Sequence, residues 1–428
     1  MAWTPPPLAP WVAPLNALGE STGDGGRALV PLDADGALAA AERATGLSDF
    51  GDDDFREGLG VLCRALEDEA QLTLLGRLMA RAENARILEN RLRVAALERA
   101  HPEIARERVV APLFVTGLAR TGTSLLHELL WRDSTHRAPL AWEMMYPADA
   151  ALAPASFAQR AEGERRPSGK DPAPAIARAA QEIELQNHAL PATRTMHELG
   201  AELPNECIYL FANEFATDMF TGFYGIPSYT MWLATHDQTP FYTSHRRQLQ
   251  VLQWRRPAQR WVMKAPSHMS HLRELFAAYP DARVVITHRD PLQVLGSLAN
   301  LMASLRWTRS NHVDYGALVG MMAFGHAFLA ERVMKERDSG TLPDAQILDV
   351  RYCDLVADPV GTVRRIGEWS GAPASVETLA SVQRWIDARP KDRHGAHEYS
   401  FADTGLDLAT ERARHAEYQR RYDVPSEV

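Results

Sequence analysis

PLFVTGLARTGTSLLHELL, residues 112–130, is the stretch whose reading decides the fold. Leu113, Phe114 and Val115 form a short apolar run of buried-strand type, Gly117 and Gly122 bound a turn, and an amphipathic helix follows. The two glycines are spaced as in the phosphate-cradling G-x-x-x-x-G-K-S/T loop. The lysine of that loop is missing, since Thr123 stands in its place, while Ser124 still matches and Arg120 lies inside the loop. A strand, a glycine-bounded turn and a helix direct several backbone N–H groups at one point, at the positive end of the helix. The segment therefore reads as an anion site. Without the lysine, the anion is not expected to be the β/γ-phosphate of a magnesium nucleotide.

The rest of the chain sets outer limits. Its 428 residues are enough for one large domain and a smaller one, and 46% hydrophobic with 24% charged residues is an ordinary globular composition. A net charge of -9 argues against non-specific nucleic-acid binding. No stretch reads as the ~20 apolar residues of a membrane span. The opening MAWTPPPLAPWVAP is proline-rich and unlike a signal peptide, so a cytoplasmic location is expected. Cys63, Cys207 and Cys353 lie far apart in apolar contexts, with no zinc or disulfide spacing; all three read as core packing in a reducing compartment. Only four of the basic residues are lysines, so Lys264, set among apolar residues, is conspicuous.

Residues 1–108 read as an N-terminal extension: a proline-rich arm, an Asp/Gly-rich stretch of turns, and a long helical region from Phe55 to about His101. A cap over the main domain or a homo-oligomer contact is the expected role. From 109 to 428, strands alternate with helices, which implies a parallel sheet covered on both faces. Strands are expected at Leu113–Thr116, Arg260–Lys264, Arg283–Thr287 and Gln346–Val350, each followed by a helix, with a helical insertion at about 137–256. That insertion carries Phe211, Phe215, Phe220, Phe223, Tyr224, Tyr229 and Trp232, a cluster that suits either core or an apolar acceptor pocket. The fold class is α/β, P-loop-like and three-layered, with a central parallel sheet.

Ligands of open α/β sheets sit at the carboxyl ends of the strands. That edge would gather the 117–124 loop, Lys264 to His268, His288 to Asp290, and Arg351 to Asp354. Two anion sites, two cations and an aromatic ring at one edge suit a nucleotide with two separated anionic groups.

Here the residues resemble a family. LARTGTSLL is similar to the 5′-phosphosulfate loop of the sulfotransferases that use 3′-phosphoadenosine 5′-phosphosulfate (PAPS). VVITHRDPLQVLGSLANL resembles their 3′-phosphate motif, VRYCDLVADP their adenine-side segment, WVMKAPSHMSHL their strand-ending lysine segment, and RHGAHEYSFADTGL their C-terminal lid. The resemblance runs from about Val109 to Tyr422, and the N-terminal helices resemble those of a bacterial subgroup. It implies that Gly117, Arg120, Thr121, Gly122, Thr123 and Ser124 hold the 5′-phosphosulfate. Arg289 and Ser297 would hold the 3′-phosphate, Tyr352 would lie at the adenine, and Arg393, His394 and Gly395 would form the lid. Lys264 and Arg120 would neutralise charge on the leaving oxygen, with PAPS as co-substrate and no metal.

Many small-molecule members use a His two residues after the strand-ending Lys as base; here that position is Pro266. A second branch, including the tyrosylprotein enzymes, uses a loop Arg and a Glu after the first helix, which assigns the base to Glu143 in PLAWEMMYP. Desolvation against Trp142, Met144 and Met145 would raise its basicity. The acceptor, a small apolar or aromatic hydroxyl compound, would meet His268, Phe220, Phe223, Tyr229 and Trp232. His127 reads as packing, and Arg306 and Arg309 as surface or lid residues. Two other classes remain open. A P-loop kinase is disfavoured by Thr123 and the Arg289/Ser297 pair, and a non-catalytic nucleotide or anion binder by Lys264 and Glu143.

Overall fold

Five strands, all parallel, make the sheet: β1 (Leu113–Gly117), β2 (His136–Arg137), β3 (Arg260–Lys264), β4 (Arg283–His288) and β5 (Ile347–Arg351), in the order β2-β3-β1-β4-β5. They belong to a computed structural model that describes residues 3–153, 174–196, 199–256, 259–389 and 400–428. Four strands fall within a residue of the expectation. The fifth, β2, is a two-residue edge pairing with Arg260 and Trp261, too short to show a period.

Both faces of the sheet are covered, which explains why its strands read as continuous apolar runs. Leu113, Val115, Val262, Val285 and Val350 pack on one side against Leu126, Leu129, Leu355 and Ile366. Phe114, Trp261, Met263, Val284 and Ile286 pack on the other with Trp142, Tyr242, Leu249 and Tyr279. Fully burying one such side chain stabilises by roughly 1.5–3 kcal/mol. Because β1 is central, Val115 pairs with Lys264 and Gly117 with Thr287, so the ends of β3 and β4 flank the loop that leaves β1.

The N-terminal region is more helical than expected. The supposed arm and turns contain helices Val12–Ser21 and Ala34–Thr45. Asp33 caps the second one, accepting from the Gly36 N–H, so an Asp-Gly pattern that reads as a turn is a helix start. The region from Phe55 onward is two helices, Phe55–Asp68 and Leu74–Ala100, parted where Gln71 takes φ 46°. Their apolar face is covered by this chain's own insertion: Phe55, Leu59, Leu62, Ile87 and Leu88 share one core with Phe215, Phe220, Tyr224 and Tyr229. Gly76 makes the closest contact. A Cβ there would lie 2.1 Å from the Arg309 carbonyl oxygen, which also accepts from the Thr73 N–H at 2.9 Å.

Helix Tyr315–Asp338, 24 residues long, does satisfy the length and composition of a membrane span, contrary to the expectation that no stretch would; 39% of its most apolar window is buried in the fold.

Candidate active site

The loop after β1 has the conformation its glycines allow. Gly117, Arg120 and Gly122 take φ values of 143°, 69° and 90°. A Cβ on Gly122 would stand 2.7 Å from the Tyr352 ring, so only glycine lets that ring close on the loop. Thr121 pins the turn from inside, donating to the Leu118 carbonyl at 2.7 Å and meeting the Thr287 hydroxyl at 2.6 Å. Helix Thr123–Trp131 starts at Gly122, and among the described residues no side chain caps it. Its first N–H groups are thus offered to an anion.

Lys264, buried at the end of β3, donates to Ser124 Oγ at 3.0 Å and forms an ion pair with Glu206. One ammonium therefore bridges the anion loop and a carboxylate of the insertion. Asp218 lies beside this pair and lines the same cavity. Burial and the neighbouring Glu206 push its carboxyl up to about 7, and its Oδ1 has no hydrogen-bond partner among the described residues.

On the other side of the loop, Arg120 Nε donates to Ser297 Oγ at 3.0 Å, and Arg289 Nη1 donates to the Arg120 carbonyl at 3.3 Å. Arg289 also lies over the Tyr352 ring and pairs with Glu427. The structure thus brings together Gly117, Arg120, Thr121, Gly122, Thr123, Ser124, Lys264, Arg289, Ser297 and Tyr352. Arg393, His394 and Gly395 lie outside the described residues.

The loop opens onto a cavity of about 550 Å³, within the range of small-molecule sites. Leu298, Leu301, Met302 and Leu305 form one wall, and Ile183, Tyr209, Met219 and Phe223 another. A third comes from the N-terminal helix Leu74–Ala100, through Met79, Glu83 and Arg86. Arg309 closes this region. It is buried, not at the surface as its sequence context suggests, and donates to Glu83 at 3.0 Å and Gln186 at 2.8 Å while lying over Phe223. Arg306 is half-buried and donates to the Thr221 carbonyl.

Several expected site residues are elsewhere. Glu143 is fully buried and does not line the cavity. It accepts from Arg137 at 2.8 Å, from Arg256 at 3.3 Å and from the Leu140 N–H at 3.1 Å, which ties two guanidiniums to the start of helix Ala141–Met145. The apolar pocket that was to raise its basicity contains two cations instead. Of the acceptor residues, Phe223 lines the cavity. Phe220 and Tyr229 belong to the core under the N-terminal helices, Tyr229 donating to the Phe215 carbonyl at 2.8 Å. Trp232 packs on that core and donates to Glu57, and His268 is buried against Tyr242. His127 packs as expected, against the Val262 carbonyl, and burial lowers its imidazole to about 3. Glu206 and Asp218 carry no sequence signal: Glu206 sits in an irregular part of the insertion, and Asp218 opens the short helix Asp218–Phe223.

With this geometry in place, comparison with known proteins is direct. Residues 112–376 match the model of the sulfotransferase family, and the chain belongs to that family of enzymes. It is 25% identical over 289 residues to the omega-hydroxy-beta-dihydromenaquinone-9 sulfotransferases Stf3 of Mycobacterium bovis and Mycobacterium tuberculosis, over 62% of this chain and 64% of those relatives. The match thus spans less than two thirds of their length. Among solved structures it is similar to sulfotransferase STF1 from Mycobacterium tuberculosis (TM-score 0.74, 32% identity, 91% of this chain and 100% of that one). It is also similar to sulfotransferase STF9 from Mycobacterium avium (TM-score 0.78, 28% identity, 92% and 98%).

Proposed function

We propose that this chain transfers a sulfuryl group from PAPS to the hydroxyl of an apolar small-molecule acceptor, leaving adenosine 3′,5′-bisphosphate. One observation carries the reading: Lys264 touches the anion loop through Ser124 and the apolar cavity through Glu206. A group held at the loop is then delivered to an acceptor in the cavity next to a fixed positive charge. The uncapped helix start, and a carboxylate already seated on Arg289, fit a nucleotide with two anionic groups. The apolar walls suit an acceptor of the chemical kind named for the Stf3 relatives.

Each residue then has a task. The N–H groups of the 117–124 loop hold the 5′-phosphate, and Lys264, with Arg120, offsets charge on its bridging oxygen as the S–O bond breaks. Arg289 and Ser297 take the 3′-phosphate, and Tyr352 borders the adenine. Asp218 accepts the acceptor's proton as the new S–O bond forms, because its raised pKa matches a base working near neutral pH. Glu143 has a structural task, neutralising Arg137 and Arg256.

Radiolabelled PAPS incubated with a panel of polyprenyl and aromatic alcohols tests the reading. Label transferred to an alcohol, without added magnesium, is expected. Phosphoryl transfer from magnesium ATP in its place would overturn it.

A further inference from the structure

Three side chains outside the cavity lining converge from distant parts of the sequence. Cys207, His245 and His268 are each fully buried, and the Cys207 Sγ and one ring nitrogen of each His lie within 4.8 Å of one another. His245 Nδ1 is 2.7 Å from the Tyr279 hydroxyl, and His268 Nδ1 is 2.8 Å from the Tyr242 hydroxyl. The Nε2 atoms of both rings are buried without a hydrogen-bond partner among the described residues. Phe114 and Phe211 surround them, with ring centroids 4.9 Å and 5.1 Å from His268 and His245. Buried polar atoms are nearly always satisfied, and two orphaned imidazole nitrogens in an aromatic shell, on rings clustered with a thiol, need an explanation.

We propose that Cys207, His245 and His268 form a site for a zinc-type transition-metal ion. One sulfur and two imidazoles, with no carboxylate among them, match a thiophilic d-block cation and exclude magnesium or calcium. The tyrosines act as outer partners: with Nδ1–H donating to a phenol oxygen, the Nε2 lone pair is free to ligate. On binding, the S–metal bond forms as the S–H proton leaves to solvent, and both imidazoles enter neutral.

The ion would join three separate elements. Cys207 follows Glu206 and donates its N–H to the Lys264 carbonyl at 2.8 Å. His245 lies on helix Thr239–Gln253, and His268 in the 3₁₀ turn Pro266–His271 after β3. These residues are positioning residues: the ion locks the turn and the insertion around the Lys264–Glu206 pair without touching substrate.

The full chain, expressed with zinc in the medium and dialysed, is examined by plasma mass spectrometry. About one ion per chain is expected, falling to about a tenth or less in Cys207→Ser. Cobalt substitution of the wild-type protein is read alongside. A near-ultraviolet thiolate-to-cobalt band, absent in Cys207→Ser, supports the site, and the wild-type spectrum decides alone if the variant does not fold. Wild-type protein that retains no more zinc than a trace and shows no such band overturns it.

Discussion

The carboxylate of Glu427 is seated on the guanidinium of Arg289, Nε to Oε1 at 2.9 Å and Nη2 to Oε2 at 2.7 Å, while the same guanidinium lies 4.1 Å over Tyr352. A carboxylate in this fork geometry is a close protein mimic of a phosphate. In the proposed function the two compete for one cation.

Glu427→Gln is therefore expected to tighten adenosine 3′,5′-bisphosphate by about twofold to fivefold, the scale of a partly exposed ion pair. Arg289→Ala should weaken it by about 1.5–3 kcal/mol and leave adenosine 5′-phosphosulfate nearly unaffected. Calorimetry reads both. Equal losses for the two nucleotides would remove Arg289 from the 3′-phosphate.

Asp218→Asn should lower kcat by about two to four orders of magnitude with nucleotide affinity kept. The wild-type rate should rise with pH through about 7, and that limb should vanish in the variant. The sign for stability is opposite to that of a salt-bridged carboxylate. The folded state holds this proton more tightly than the unfolded chain, so the stabilisation is present at low pH and lost as pH rises through about 7. The Asn variant should melt higher than wild type at about pH 8 and nearly the same at about pH 4.

Glu143→Gln tests a structural assignment. Removing its charge leaves Arg137 and Arg256 buried without their carboxylate, a loss of about 3–5 kcal/mol in urea unfolding. Turnover per folded molecule should stay close to wild type. A stable variant with kcat reduced a thousandfold would return the base to Glu143.

Met79→Trp narrows the cavity from the N-terminal helix. KM for a bulky acceptor should rise about tenfold, with nucleotide affinity unchanged. Steady-state kinetics with acceptors of graded size would show it, and no size dependence would place the acceptor elsewhere.

The sheet edge was legible because its signals are local. Gly117, Gly122 and Arg289 each stand beside the strand that positions them, and parallel topology assembles them without further information. The surroundings of Glu143 were misread for the converse reason. Arg256 is far away in sequence, so a carboxylate among Trp142, Met144 and Met145 looks unpaired until the chain is folded. Phe220, Tyr229 and Trp232 are aromatic for the sake of a core whose other half is the N-terminal helices. No periodicity in the insertion discloses which face that is. Cys207, His245 and His268 show the same limit, since their spacing follows no metal-ligand pattern and only the packing of three elements unites them.

Gly76 gives the extension a further meaning. With its backbone seated against the Arg309 carbonyl, the helix bearing Met79, Glu83 and Arg86 is fixed to the domain that does the chemistry. The wall it supplies lies outside residues 112–376, the part that matches the family. In the proposed function, the surroundings of the acceptor can therefore be reshaped by substitutions in one helix at the front of the chain, leaving the anion loop and Lys264 untouched.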